Sequence, residues 1–302
     1  RLDAVFLSPH KYIGGPGSSG LLIFREEIYD RSLPPTVAGG GTVDYVGPSD
    51  VDFSDDIELR EKAGTPGALQ LMKSALALQV KTAYGIERIE EREHELLERA
   101  FDVWKKNPMI EILGPSDPGR RIAIASFTIK DRWGPGLHPK FVTALLNDLF
   151  GIQSRAGCSC AGPYGHVLMG IDEENSLRYR RLVDEGFGGL KPGWCRVGFH
   201  YAMDDAEADY LIRTVDQIAR IGYLFLPLYE FHPDTGLWSI QEKGTRAGAE
   251  TGGEGGAGGN PVARTADSAG GYLDDSFGIH RALEGCRDES KALSAALRSR
   301  LY

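Results

Sequence analysis

Lys11 sits in the stretch SPHKYIGGPGSSG, residues 8–20, between two short apolar runs. A primary amine held at the mouth of a strand, beside Ser8 and His10 and ahead of glycines that let backbone approach a ligand, can be fixed against a bound aldehyde. A surface lysine on a glycine-rich turn is the plain alternative. Gly64, Thr65 and Pro66 precede a helical run. The free N–H groups and capping hydroxyl of a helix start favour an anion such as phosphate, with an ordinary cap as the alternative. The third motif, GIQSRAGCSCAGPYGH at residues 151–166, puts two thiols on a glycine loop near a cation, a setting for a thiolate nucleophile. The same residues also read as a tight turn holding inert side chains. They read less well as a zinc site of Cys158, Cys160 and His166 completed by Cys195, because Cys-x-Cys is not the usual ligand spacing and no second pair follows. Finally, Arg196 lies inside the apolar run of PGWCRVGFHY. A guanidinium there is costly to bury without an anion, which makes it a candidate carboxylate ligand, unless it lies on an exposed face.

These groups need a scaffold, and the sequence around them alternates strand-like and helix-like segments. AVFL (residues 4–7) and GLLIF (residues 20–24) are short strand candidates on either side of the lysine. In GTPGALQLMKSALALQVKTAYG, Thr65 is expected at the N-cap, Pro66 at the first helical position and Gly85 just past the end. In the charged run that follows, Ile86, Ile89, Leu96, Leu97, Ala100, Val103 and Trp104 recur at helical steps, the mark of an amphipathic surface helix with a solvated charged face. RIAIASFTIK and WCRVGFHY read as strands, HPKFVTALLNDLF as a helix starting near Pro139, and DDAEADYLIRTVDQIARIG as a helix opened by acidic residues.

The chain has 302 residues, 41% of them hydrophobic and 25% charged, enough to bury a core of two lobes. A formal net charge of −9 and no dense Lys/Arg face argue against nucleic-acid binding. No apolar run reaches bilayer length, so no membrane partner is expected. Four cysteines, two of them in CSC, do not form a secreted disulfide framework; reduced thiols and a cytoplasmic setting are the default. Targeting is not read from a chain that begins at Arg1. Past residue 243 the composition turns glycine-rich and polar, as in a flexible linker, with a helix-like piece near residue 290.

Taken together, the motifs resemble the class V aminotransferase and cysteine desulfurase family of pyridoxal-phosphate (PLP) enzymes over about residues 1–240. The lysine segment is similar to that family's Schiff-base segment, and Arg-x-Gly-Cys-x-Cys also resembles the active-site loop of molybdenum-cofactor sulfurases. The resemblance implies an α/β chain: the C-terminal part of a fold-type-I PLP-dependent transferase, with residues 1–85 the end of the large domain, 86–242 a small α/β domain and 243–302 a Gly-rich tail. It further implies PLP bound through Lys11, phosphate contacts from Ser8 and His10, and Gly64 and Thr65 reaching the phosphate of the partner subunit in a homodimer. Cys160 would accept sulfur from a cysteine-like substrate whose carboxylate Arg196 holds, with Tyr201 following in the family's order, and a sulfur-acceptor protein is a possible partner. No role follows for Cys158 or for the GGGTV loop at residues 39–43. An aminotransferase or other PLP lyase with incidental cysteines, and a non-catalytic truncated module, are the alternatives. The family's ring-stacking His and ring-nitrogen Asp lie upstream of the lysine, so residues 1–302 alone are expected to bind PLP weakly, to lack turnover and to aggregate, unless His94 or His138 replaces the stacking residue. The stretch between His166 and Pro192 also separates cysteine from arginine more than in compact desulfurases.

Overall fold

The computed structural model describes residues 2–130 and 136–241. The tail expected past residue 243 lies outside them. The chain divides into two compact units, Arg1–Glu90 and Glu91–Tyr302.

The first unit begins with an antiparallel hairpin, β1 (Ala4–Leu7) and β2 (Leu21–Phe24), in the register Ala4↔Phe24 to Leu7↔Leu21. The lysine segment is thus the hairpin's connection. A second hairpin follows, β3 (Val43–Val46) and β4 (Val51–Phe53), and then the single turn α1 (Ile57–Arg60), whose N-cap Asp56 accepts from the Glu58 and Leu59 amides. The long helix α2 spans Ala68–Tyr84 and stops at Gly85, whose φ of +100° suits a residue without a Cβ.

The start of α2 differs from expectation. Gly67 is the N-cap, with no side-chain capping bond, and its carbonyl accepts the first helical bond from Leu71 at 2.9 Å. Thr65 is not a cap, and Pro66 is not the first helical residue. Two preferences of the Thr-Pro-Gly run explain the shift. Proline pushes the residue before it out of the helical region, and glycine is the poorest helix former after proline, so the helix opens one residue beyond Gly67.

α3 (Ile86–Trp104) opens on a residue of the first unit and continues into the second. It turns Leu96, Leu97, Ala100, Phe101 and Trp104 fully inward, and leaves Ile86 and Val103 exposed. The strands β5 (Ile110–Ile112), β6 (Ile124–Ile129), β7 (Arg155–Gly157) and β8 (Trp194–Gly198) form an antiparallel sheet in the order β5-β6-β8-β7. Between them in sequence lie α4 (Pro139–Phe150), α5 (Gly162–Leu168) and α6 (Glu173–Asp184), and after them come α7 (Asp205–Ile221) and a hairpin of β9 (Tyr229–His232) and β10 (Leu237–Ile240). α7 opens with a capping box, in which Asp204 and Glu207 satisfy each other's amides. One face of the sheet, carrying Ala125, Phe127, Ile129, Cys195 and Val197, is sealed by α3, α4 and α7 into a single core. The strand period of two puts Ser126, Trp194 and Arg196 on the other face.

The stretch between His166 and Pro192 is ordered. Asp172 caps α6 through the Asn175 amide, and a 3-10 turn at Gly188–Leu190 then docks against the last hairpin, with the Gly189 amide donating to the Pro233 carbonyl at 2.7 Å. The buried ring of His138 ties this region to α4. Its Nε2 donates to the Gly189 carbonyl at 3.0 Å, and its Nδ1 accepts from Trp238 Nε1 at 3.1 Å. Burial is the main reason its pKa falls to about 4, so it is held neutral.

Candidate active site

In the first unit, the connection between β1 and β2 opens with a 3-10 turn, Pro9–Lys11, closed by the Lys11 amide on the Ser8 carbonyl at 3.0 Å. Ser8, His10 and Lys11 are brought onto this one turn. Their side chains make no hydrogen bond or ion pair among the described residues, and Lys11 is exposed. Gly15 is required by packing, because a Cβ there would overlap the Pro9 carbonyl. α2 braces the connection: the Ser19 amide donates to the Gln70 carbonyl, Ser74 Oγ donates to the Ser19 carbonyl at 2.9 Å, and the Lys81 ammonium lies over the Tyr12 ring.

Gly64 and Thr65 belong to the same unit. Gly64, with φ of +80°, donates its amide to the Gly40 carbonyl at 2.8 Å, so the GGGTV loop positions the Gly-Thr pair. The buried Thr42 organises that loop through reciprocal bonds with Gly39. Freed from capping, the Thr65 hydroxyl is exposed and unpaired among the described residues.

Cys160 and Arg196 belong to the second unit. β8 runs between β6 and β7, and its register sets Ser126, Arg196 and Arg155 in one row across the sheet, on the face away from the core. Two guanidiniums directly opposite repel each other. Arg196 has no carboxylate or other hydrogen-bond acceptor among the described residues, and Arg155 reaches only Cys160, with Nη2 3.6 Å from Sγ. The row is therefore a concentration of positive charge that an anion would offset.

The thiol stands on a tight turn. The Ala161 amide donates to the Cys158 carbonyl at 2.9 Å, and the two central residues, Ser159 and Cys160, have φ of +52° and +65°. This is the pattern of a type I′ turn made without glycine, a conformation that L residues adopt only where surroundings enforce it. Cys158 and Cys160 are both exposed. β7 is held against β8 by a backbone approach that only glycine permits, since a Cβ on Gly193 would meet Gly157 Cα at 2.6 Å. A side chain at Gly165 would meet the Trp194 ring at 3.0 Å and Cys158 Cβ at 3.7 Å, so Cys158 packs beside Gly165 while Arg155 reaches Cys160.

Two members of the zinc alternative, Cys195 and His166, are engaged elsewhere. Cys195 points into the core, where burial pushes its thiol pKa upward and Sγ donates to the Pro139 carbonyl at 3.2 Å. His166 has both ring nitrogens engaged, by the Gly162 carbonyl at 2.8 Å and Ser176 Oγ at 3.0 Å. His138, its two nitrogens also taken, serves the packing of its own unit, and His94 pairs with Glu98 at 3.1 Å. Sequence reasoning missed the side-chain part of Arg155. Its signal was the five-residue spacing to Cys160, but the contact depends on a β7–β8 register that no local pattern carries.

As a donor set, an exposed amine flanked by a hydroxyl and an imidazole, with glycine backbone alongside, suits an aldehyde-bearing phosphate ester. In these terms the residues fit PLP. The two-arginine row suits a carboxylate, and the thiol beside it suits a sulfur nucleophile.

A family model for class-V aminotransferases matches residues 1–211, and the chain belongs to that family. It is 32% identical over 218 residues to a probable cysteine desulfurase of Streptomyces coelicolor, covering 72% of this chain and 45% of the relative. A probable cysteine desulfurase of Staphylococcus epidermidis is 31% identical over 164 residues, 54% of this chain and 37% of the relative. The chain thus spans less than half the length of these curated relatives. Among solved structures, the apo cysteine desulfurase of Thermococcus onnurineus superposes with a TM-score of 0.57 at 26% identity, covering 72% of this chain and 47% of that one. A cysteine desulfurase of Escherichia coli, with a TM-score of 0.53 at 21% identity over 73% of this chain and 47% of that one, shares the fold. The mixed α/β chain accordingly has the fold of the type-I PLP enzymes.

Proposed function

We propose that this chain is part of a PLP-dependent enzyme that removes sulfur from cysteine, leaving it as a persulfide on Cys160. The observation that carries the reading is the Cys160 thiol held beside Arg155, in a sheet whose next residue across is Arg196. Membership of the class-V family and similarity to probable cysteine desulfurases support it.

In this reading residues 1–85 are the remainder of the cofactor domain and residues 86–242 the small domain. Lys11 would hold the cofactor through its amine, with Ser8 and His10 on the phosphate, and Gly64 and Thr65 would serve the phosphate of a partner subunit in a homodimer. The bound cofactor supplies an electron sink for the substrate carbon. Arg196 grips the substrate carboxylate in its planar fork, which orients the sulfur. The Lys11 amine would move the proton at the substrate α-carbon. Cys160 attacks the substrate sulfur, and Arg155 offsets negative charge on the attacking thiolate. The exposure of Cys160 leaves its persulfide open to a sulfur-acceptor protein.

The test uses the enzyme supplied with L-cysteine. Cys160→Ser should abolish sulfide release yet still bind PLP, which borohydride fixes on Lys11 in this variant and not in Lys11→Ala. Turnover surviving in Cys160→Ser would instead mark an aminotransferase or a lyase with incidental cysteines.

A further inference from the structure

The sulfur chemistry proposed for Cys160 leaves a second thiol unexplained. Cys158 is exposed, two residues away on the same turn. Their Cα atoms are joined by two virtual bonds of about 3.8 Å bent through a turn, which brings them within the span of about 4.4–6.8 Å that a disulfide requires. The two thiols are not equivalent. Cys160 has the Arg155 guanidinium 3.6 Å from its sulfur, whereas Cys158 Cβ lies beside Gly165 and has no cation against it among the described residues.

We propose that Cys158 is a resolving thiol: it discharges the Cys160 persulfide as hydrosulfide and closes a Cys158–Cys160 disulfide. This inference rests on Cys160 being the sulfur acceptor. In the step, Cys158 Sγ loses its proton and attacks Cys160 Sγ, the inner sulfur of the persulfide. A bond forms between the two Sγ atoms, the bond from Cys160 Sγ to the terminal sulfur breaks, and that sulfur leaves with the bonding pair as HS⁻. The terminal sulfur is reduced by two electrons, and the two cysteine sulfurs together are oxidised by two.

Attack on the inner sulfur is favoured by the short tether. Thiol–disulfide displacement is in line, and here the leaving sulfur lies outside the ring being closed, whereas attack on the terminal sulfur would require the tethered Cys160 to leave in line from inside that ring. So small a ring, exposed to solvent, makes a labile disulfide, and two equivalents of a low-molecular-weight thiol would return the dithiol while forming their own disulfide. On this account the chain releases free sulfide, with a thiol as co-reductant, when no acceptor protein takes the persulfide first.

The experiment loads the reduced chain with inorganic tetrasulfide, which bypasses cysteine and PLP. Excess reagent is removed, the protein is alkylated at intervals, and the peptide holding both cysteines is mapped by mass spectrometry. Wild type should lose the Cys160 persulfide at least about tenfold faster than Cys158→Ser, as expected for an intramolecular nucleophile, and the lost persulfide should reappear as the Cys158–Cys160 disulfide. Equal persistence in the two proteins, migration of the sulfur to Cys158, or failure of Cys160 to load in Cys158→Ser would each overturn the proposal. If tetrasulfide-loaded protein discharges in this way while L-cysteine never produces the persulfide, the resolving thiol stands and the desulfurase reading falls.

Discussion

The two units are built to different standards of closure. In the second, Trp104, Phe101, Phe127, Phe141 and Leu145 are fully buried in one core shared by three helices and a sheet face. In the first, the buried apolar side chains among the described residues are Pro9, Pro35, Ala77 and Ile89, while Phe6 is 80% exposed, Leu69 78% and Met72 61%. The unit with the thiol and the arginines thus holds its geometry by its own packing. The unit with the lysine holds its turn by hydrogen bonds to α2 and leaves large apolar residues exposed.

This contrast can be broken experimentally. The largest effect should come from Trp104→Ala, which removes a buried ring and its Nε1 bond to the Ile212 carbonyl and should cost about 3–5 kcal/mol in urea unfolding of the second unit. Loss of less than about 1 kcal/mol would show that the core is not as closed as its burial implies. A smaller effect comes from acid. His138 is held neutral with a pKa of about 4 against an ordinary 6.5, so the folded state binds fewer protons than the unfolded one between those values. Stability should be whole above pH 6.5 and fall by up to about 3 kcal/mol as pH drops to 4. Lys140 adds to the cost of charging the ring. His138→Gln should flatten the slope between pH 6.5 and 5, where few carboxylates titrate; an unchanged slope would assign it to other groups. The smallest change in folding energy, within about 0.5 kcal/mol, should follow Phe6→Ser or Leu69→Ser in the first unit. Both should nevertheless slow aggregation in light scattering, and unaltered aggregation would mean the exposed patch is harmless.

The same contrast explains what could be read from sequence. α4, β6 and α7 announce themselves by periodicity and by end signals such as Pro139 and the acidic residues that open α7. The two strands around Lys11 were legible because apolar runs bracket a glycine segment, but their antiparallel pairing was not. The start of α2 was misplaced because Thr-Pro looks like a cap, and only the Gly67 carbonyl's bond to Leu71 shows where the helix begins. Much of the thiol site was hidden. β7 is only Arg155–Gly157, too short for a periodicity, and the row of Ser126, Arg196 and Arg155 exists only once β7 and β8 are in register.

The glycine contact between residues 157 and 193 bears on how such a chain can vary. Because β7 and β8 lie backbone to backbone there, the spacing of Cys160 and Arg196 follows the sheet register. α6 and the 3-10 turn after it are fastened instead to the last hairpin and to His138, so a change in that stretch is felt there, whereas a single methyl group on Gly193 would wedge the two strands apart.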